Sequence, residues 1–429
     1  MDILFKNATI VTMDDENPVI HGACLGVDGE KITLLSWGES ETKAKRVIDC
    51  TDKVIMPGLY NCHTHAAMTM FRGYANDRTL EDWLFNFIFP AEKKLTPEIV
   101  KTATTLACAE MLSGGTVAFS DMYYFMDTVA EVANETGMLA NVSNAVVGPD
   151  KDTYDFHKDN VYGQTLNAIE KYHGKDGRVK IDASIHAVYT SHPKAWAQVM
   201  ELCHKHGLAM HVHLSETKTE HEGCVSTYGR TPAKVFSDHG VFDVPTICAH
   251  GVWVTYEDIG ILAEKGATVV HNPLSNLKLA SGLAPIDKLI KGGVNVAIGT
   301  DSVSSNNSHN LFEEIKMASL LQKYATKDPT VMPAYKTLQL ATVFGAKAQG
   351  RHESGRIKEG FDADIIVLDF HNPRQTVCFD PILNLAYSTS DKDVEMTMVR
   401  GKILYEKGDY KTIDIEKILY DAKTAQKIF

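Results

Sequence analysis

Eight short apolar runs, each followed by a stretch with helical periodicity, recur between residues 57 and 360, and no other feature restricts the fold as strongly. The runs are GLYNCHTH, TVAFSDM, LANVSNAVVG, VKIDASIHA, LAMHVHL, TICAHGV, ATVVHNP and NVAIGTD. Stretches such as TPEIVKTATTLACAEMLSGG and TYEDIGILAEKG open near Pro or Thr and close at Gly, as helices do. Strand–helix alternation implies a parallel sheet, and eight repeats imply an α/β fold closed as a (β/α)8 barrel. The flanks differ. Residues 1–56 alternate apolar and polar positions, with Asp28-Gly29 as a hairpin cue between two strand-like runs. Residues 361–429 carry the buried-strand run IIVLD, then a strand, an Arg-Gly turn and a second strand in VEMTMVRGKILYE. Three segments are therefore expected: 1–56 and 361–429, both β-rich, and the barrel over 57–360.

In such a barrel the chemistry sits at the C-terminal ends of the strands, where the loops converge. The first run ends in His63 and His65, and residues i and i+2 of a strand point the same way. Taken alone, that pair is more often two unrelated polar residues at a strand end. The fifth run, LAMHVHLSET, adds His213 and Glu216; the sixth ends at His250 and the eighth at Asp301. Four strands thus bring metal-type or acid/base side chains to one rim. His63, His65, His213 and Asp301 suit a single divalent ion, with one position left for water. Zinc fits such ligands, and so do iron and nickel. An ion there lowers the pKa of its water to roughly 7. Glu216 could carry a proton from that water to a substrate, Asp301 could accept one, and His250 could hydrogen-bond the hydroxide or the anion formed on attack.

Other histidines read differently. His211 shares a face with His213, so strand parity does not separate them; His213 is nearer the rim and is followed by Glu216, which leaves His211 as a packed, hydrogen-bonded residue. His204 and His206 fall at a helix end before Gly207, where the helix dipole favours them. His271, at the end of the seventh run, is assigned no role. Neither His-Glu dipeptide has a second His at the H-E-x-x-H spacing, which excludes that protease motif.

Composition narrows the partners. A formal net charge of −12 argues against nucleic acid, whose phosphates need a basic surface. The eight cysteines are scattered without a C-x-x-C pair, which suits free thiols in a reducing compartment. No basic region followed by an apolar core opens the chain, and no uncharged apolar stretch is long enough to span a bilayer. A soluble cytoplasmic protein with no membrane partner is expected.

The ordered set PGLYNCHTHAAMTMFRG, MHVHLSET, AHGVWVT, HNPLSNLKLASGLAPI, IGTDS and GFDADIIVLD resembles the amidohydrolase superfamily, in its chlorohydrolase and amino-purine deaminase branch. The subgroup it resembles most is the 5′-methylthioadenosine/S-adenosylhomocysteine deaminases. The resemblance implies a distorted barrel with a small β-sandwich formed by both termini, one divalent metal ion, a small nucleoside substrate and a homo-oligomer, dimer or tetramer. It implies hydrolytic deamination of a 5′-modified adenosine, giving the inosine analogue and ammonia. It also implies that Trp83 faces the 5′ portion of the substrate, Glu92 the ribose hydroxyls and His186 a purine nitrogen, with Glu216 meeting the ring. Two departures stand out. Val188 replaces the proline common after His186, and residues 141–165 contain no Arg to pair with a carboxylate-bearing tail, leaving only Lys151 and Lys158 as point charges. A neutral 5′ substituent is therefore favoured. Other members of the branch act on guanine, oxidised purines, pterins or triazines. A catalytically inactive barrel serving as a binding module is disfavoured, because every ligand of the expected set is present.

Overall fold

The computed structural model describes residues 1–38, 40–148 and 153–429. Lys151 lies outside the described residues. Eight parallel strand positions surround a common axis: Leu59–Thr64, Thr116–Tyr123, Leu139–Asn144, Val179–Ile185, Met210–Leu214, Thr246–His250, Thr268–His271 and Asn295–Ile298. Strands walled by helices on the outside and side chains within are buried on both faces; every residue of Thr116–Tyr123 is buried accordingly.

The fourth strand is where the reading of VKIDASIHA as one continuous strand needs correction. Val179–Ile181 pairs with the third strand and Ala183–Ile185 with the fifth, so the barrel consists of two sheets that meet at Asp182. Hydrogen bonds from Asp182 N to Val142 O (3.0 Å) and from Ala183 N to Ala209 O (2.8 Å) span the break. On the opposite side the ring closes through a parallel bridge between Thr64 and Asp301, with Asp301 N donating to His63 O at 2.9 Å. The barrel is thus distorted at two places, and the second of them ties the first strand to the eighth at the residues of interest.

That closure depends on a glycine. A Cβ at Gly299 would lie 2.8 Å from the His63 backbone nitrogen and 2.7 Å from Asn272 Oδ1. Backbone cannot yield as a flexible side chain can. Gly299→Ala is expected to lower stability by about 1–3 kcal/mol through overpacking and to weaken divalent-metal affinity by displacing His63. Thermal denaturation together with a zinc titration checks both; a variant matching the parent in each would show that the two strands have slack.

Both termini contribute to one nine-stranded sheet. Lys53–Pro57 runs antiparallel to Ile365–Asp369, which joins the N-terminal strands to the C-terminal ones immediately beside the start of the barrel. The sheet wraps a core of its own that includes Phe5, Ile10, Leu25, Ile55, Ile365 and Met398. Val19–Asp28 and Lys31–Trp37 form the hairpin expected at Asp28-Gly29, with Gly29 at φ 57°. Arg400 and Gly401 both take positive φ (46° and 72°), the geometry of a tight hairpin turn matched to strand twist. The last part of the chain is not all strand, however. Ile415–Ala425 is a helix whose Ile418 and Ala422 join the core cluster of the barrel helix Pro97–Ser113. Among the described residues no helix is long and apolar enough to cross a membrane.

Candidate metal centre and active site

The strand ends deliver their side chains to one point. His63 is fully buried in the first strand and His65 follows at its end; His213, His250 and Asp301 come from the fifth, sixth and eighth. Three non-glycine residues at these ends hold left-handed backbone: Ser215 (φ 49°), His250 (φ 75°) and Asp301 (φ 61°). Such conformations cost of order 1–3 kcal/mol each and cluster where a site needs a sharp turn.

The donor chemistry fits a cation. His65 Nδ1 lies 2.5 Å from Met122 O, and His213 Nδ1 lies 2.8 Å from His186 O. A carbonyl oxygen only accepts, so each ring carries its hydrogen on Nδ1 and, when neutral, a lone pair on Nε2. Those two Nε2 atoms face each other at 3.3 Å. Asp301 Oδ1 stands 3.3 Å from His65 Nε2 and 3.4 Å from His63 Nε2, and the latter is buried without a hydrogen-bond partner. Ligands about 2.1 Å from a tetrahedral ion stand about 3.4 Å apart. Lone pairs converging at that spacing repel one another unless a positive charge lies between them. Potential ligand atoms of His63, His65 and His213 lie within 4.8 Å of one another, as do those of His63, His250 and Asp301.

Electrostatics agree. Burial pushes His63 down to about 4 and His213 well below its ordinary value, so both rings are neutral, the ligating form. Burial also opposes a charge on His65, but the Asp301 carboxylate outweighs it and raises that ring to about 9. A metal ion at Nε2 would take that proton's place. Burial opposes the charge on Asp301, yet His63 and His65 hold it well below the carboxylate range.

The surrounding groups fix these orientations, as metal sites require. His211 Nε2 meets His63 Nδ1 at 2.9 Å, so the neighbour on the same strand face is the partner of a candidate ligand and itself buried. Ser275 Oγ (2.6 Å) and Ser305 Oγ (3.1 Å) donate to Asp301 Oδ2. His250 Nδ1 meets Asn276 Oδ1 at 2.8 Å, which leaves its Nε2 facing Glu216 Oε2 at 3.8 Å. Glu216 is buried, and burial raises its carboxyl above the usual range.

These groups open onto one concave, largely apolar pocket, the usual form of a small-molecule site. His65, His213, Glu216, His250 and Asp301 form its floor, and Trp83, Glu92 and His186 contribute to its walls. Trp83 ends the short helix Leu80–Trp83 and is 6% exposed. Glu92 is no solvated helix residue: its Oε1 accepts the Tyr123 hydroxyl hydrogen at 2.6 Å, and burial raises its carboxyl to about 7. His186 Nδ1 contacts Thr190 Oγ1 at 2.9 Å, and burial lowers the ring to about 3, so it is neutral. The sequence reading missed the aromatic lining of Tyr123, Tyr124 and Tyr189. It also missed Asn276 and the two serines on Asp301. No Lys or Arg lines the cavity among the described residues; Lys158 is exposed and pairs with Asp155 at 3.2 Å.

The histidines set aside on sequence lie elsewhere or behind. His204 and His206 occupy the last turn of Pro193–His206, capped by Gly207. His271 is buried at the end of the seventh strand, and neither ring nitrogen makes a hydrogen bond.

Comparison with known proteins gives concordant results. The amidohydrolase family pattern matches residues 54–404. A 5-methylthioadenosine/S-adenosylhomocysteine deaminase from Acetivibrio thermocellus is 40% identical over 100% of this chain and 99% of its own. A 5′-deoxyadenosine deaminase from Methanosarcina mazei is 41% identical over 99% of this chain and 97% of its own. Among solved structures, a zinc-bound adenosine deaminase from Xanthomonas campestris superposes with a TM-score of 0.94 at 30% identity, covering 99% of this chain and 98% of that one.

Proposed function

The chain belongs to the amidohydrolase family, and on that premise we propose that it is a metal-dependent hydrolytic deaminase of 5′-modified adenosines, releasing ammonia and the corresponding inosine analogue. The observation that carries this reading is the junction of two sets in one cavity. His63, His65, His213 and Asp301 present donors at metal-ligand separations, and beside them stand a buried Glu216 and a Trp83–Glu92 wall. Relatives named as deaminases of methylthioadenosine and of 5′-deoxyadenosine support it.

A divalent ion held by His63, His65, His213 and Asp301, with zinc the favoured metal, supplies hydroxide at neutral pH when bound. The rest is the work of the chain. Glu216, its carboxyl raised by burial, delivers a proton to the ring nitrogen beside C6 as oxygen adds to that carbon, so no negative charge accumulates on the ring. Asp301, freed of hydrogen-bond ambiguity by Ser275 and Ser305, accepts the second proton of the attacking water. His250 turns Nε2 towards the entering oxygen, because Asn276 occupies its other nitrogen. Neutral His186 meets a purine nitrogen, Trp83 packs against the 5′ portion, and Glu92 accepts the ribose hydroxyls. Asp301 passes the proton it accepted to the C6 amino group, which leaves as ammonia while the C–N bond breaks and the C6 carbonyl forms. Among the described residues the cavity offers no cation to a carboxylate tail, which favours a neutral 5′ substituent over that of S-adenosylhomocysteine. A homo-oligomer, dimer or tetramer, rests on the resemblance alone. A cytoplasmic location is supported by the free cysteines, seven of the eight being buried.

The test is an ammonia-release panel with the zinc-loaded enzyme on methylthioadenosine, 5′-deoxyadenosine, adenosine, S-adenosylhomocysteine, guanine and a triazine. The neutral 5′-modified adenosines should give the highest kcat/KM; turnover confined to guanine or the triazine overturns the reading. Within the same panel, Glu92→Ala should raise KM for the nucleosides about 10–100-fold, the worth of two hydrogen bonds to the ribose. An unchanged KM would remove Glu92 from the ribose.

A further inference from the structure

Glu220 is a buried carboxylate that the chemistry above does not use. It is the third residue of the helix Lys218–Tyr228, whose cap is Thr217, and Thr217 Oγ1 accepts Glu220 N–H at 3.1 Å. In a capping box the residue at this position would return its side chain to the Thr217 N–H. Here it reaches past the cap. Oε2 accepts the N–H of Glu216 at 2.7 Å and Oε1 the N–H of Ser215 at 3.2 Å. On the other side of the same segment, the Ser215 carbonyl accepts N–H groups of Val252 (3.1 Å) and Trp253 (3.0 Å). Ser215 holds φ 49°, a conformation that an L side chain resists, and its own hydroxyl is buried without a hydrogen bond. Its side chain therefore does nothing to hold the turn. Beyond this backbone grip, Glu216 has Ser281 Oγ at 3.3 Å as its side-chain hydrogen bond.

We infer that Glu220 is a positioning residue: its carboxylate clamps the Ser215–Glu216 backbone in a left-handed turn that aims Glu216 into the cavity. The inference rests on the proton-transfer role proposed for Glu216. A carboxylate can accept both hydrogens at once, whereas an amide offers one oxygen and turns its NH2 group against the second N–H.

The test measures kcat, KM and bound zinc for the zinc-loaded parent, Glu216→Gln, Glu220→Gln and Ser215→Gly/Glu220→Gln. Glu220→Gln should lower kcat about 10–100-fold, as misplacement of a reacting group by an ångström does, with KM within about threefold and zinc unchanged. The double variant should recover at least threefold in kcat, because glycine adopts the left-handed turn without a clamp. A merely structural Glu220 would instead lower the melting temperature and leave kcat at the parental value, and that result overturns the inference. So does a double variant no faster than Glu220→Gln. Should Glu220→Gln not be recoverable as folded protein, the same comparison applies to Glu220→Asp, whose shorter side chain cannot span both N–H groups. An active Glu216→Gln would instead defeat the role assigned to Glu216, a failure distinct from that of the clamp.

Discussion

Replacing Glu216 by glutamine should leave a folded, metal-replete protein with almost no turnover, kcat falling on the order of 10²–10⁴-fold for loss of one acid/base group. The substitution is nearly isosteric and touches little. Glu216 is 7% exposed, its side chain has Ser281 as a hydrogen-bond partner, and it lies outside the donor set whose atoms converge. An amide fills the same space and keeps that contact, but it cannot give up or take a proton at neutral pH. KM should therefore move little while kcat collapses, the pattern of an interaction made in the transition state. Zinc content measured on the same sample separates this from metal loss. A variant with full zinc and a rate within tenfold of the parent would take the proton-transfer role away from Glu216.

Alanine at His63 or at His213 should remove metal and activity together. His63 is enclosed on every side, with Nδ1 on His211 and Nε2 beside Asp301, so truncation leaves both partners facing a void and deletes one donor. His213 lies across from His65 at 3.3 Å, and its loss opens the ring of donors on the side of His186. With three donors in place of four, zinc should be recovered at well under one equivalent after dialysis, and ammonia release should fall below detection. The first outcome does not depend on any substrate. Elemental analysis returning one zinc per chain in either variant would mean that the ion is held by other residues.

How much of this was legible in the sequence follows from what each feature depends on. His63, His65, His213, His250 and Asp301 could be found because a parallel barrel fixes where strand ends go, and a period of two fixes which neighbours share a face. The partnership of His211 with His63 could not, since parity gave it the same face as His213 and only the packed barrel tells the two apart. VKIDASIHA alternates like one strand; its break at Asp182 arises from the hydrogen-bond needs of closing two sheets, a tertiary effect with no local mark. The cavity's tyrosines sit in or beside runs that read equally well as core. TKTE announces a capping box, and nothing in it says that Glu220 reaches on to Ser215 and Glu216. The terminal helix Ile415–Ala425, by contrast, was readable: Asp414 caps it, and Ile415, Ile418 and Ala422 repeat at helical spacing. The neighbouring β-rich run drew attention away from it.

The whole account stands on four side chains from three separate strands meeting around one divalent ion. Anomalous diffraction at the zinc edge from crystals of the zinc-loaded protein measures that directly. One peak within bonding distance of His63, His65, His213 and Asp301, beneath Glu216 and His250, is the predicted result. A map without a peak there, with the imidazoles turned away from a common point, would contradict it.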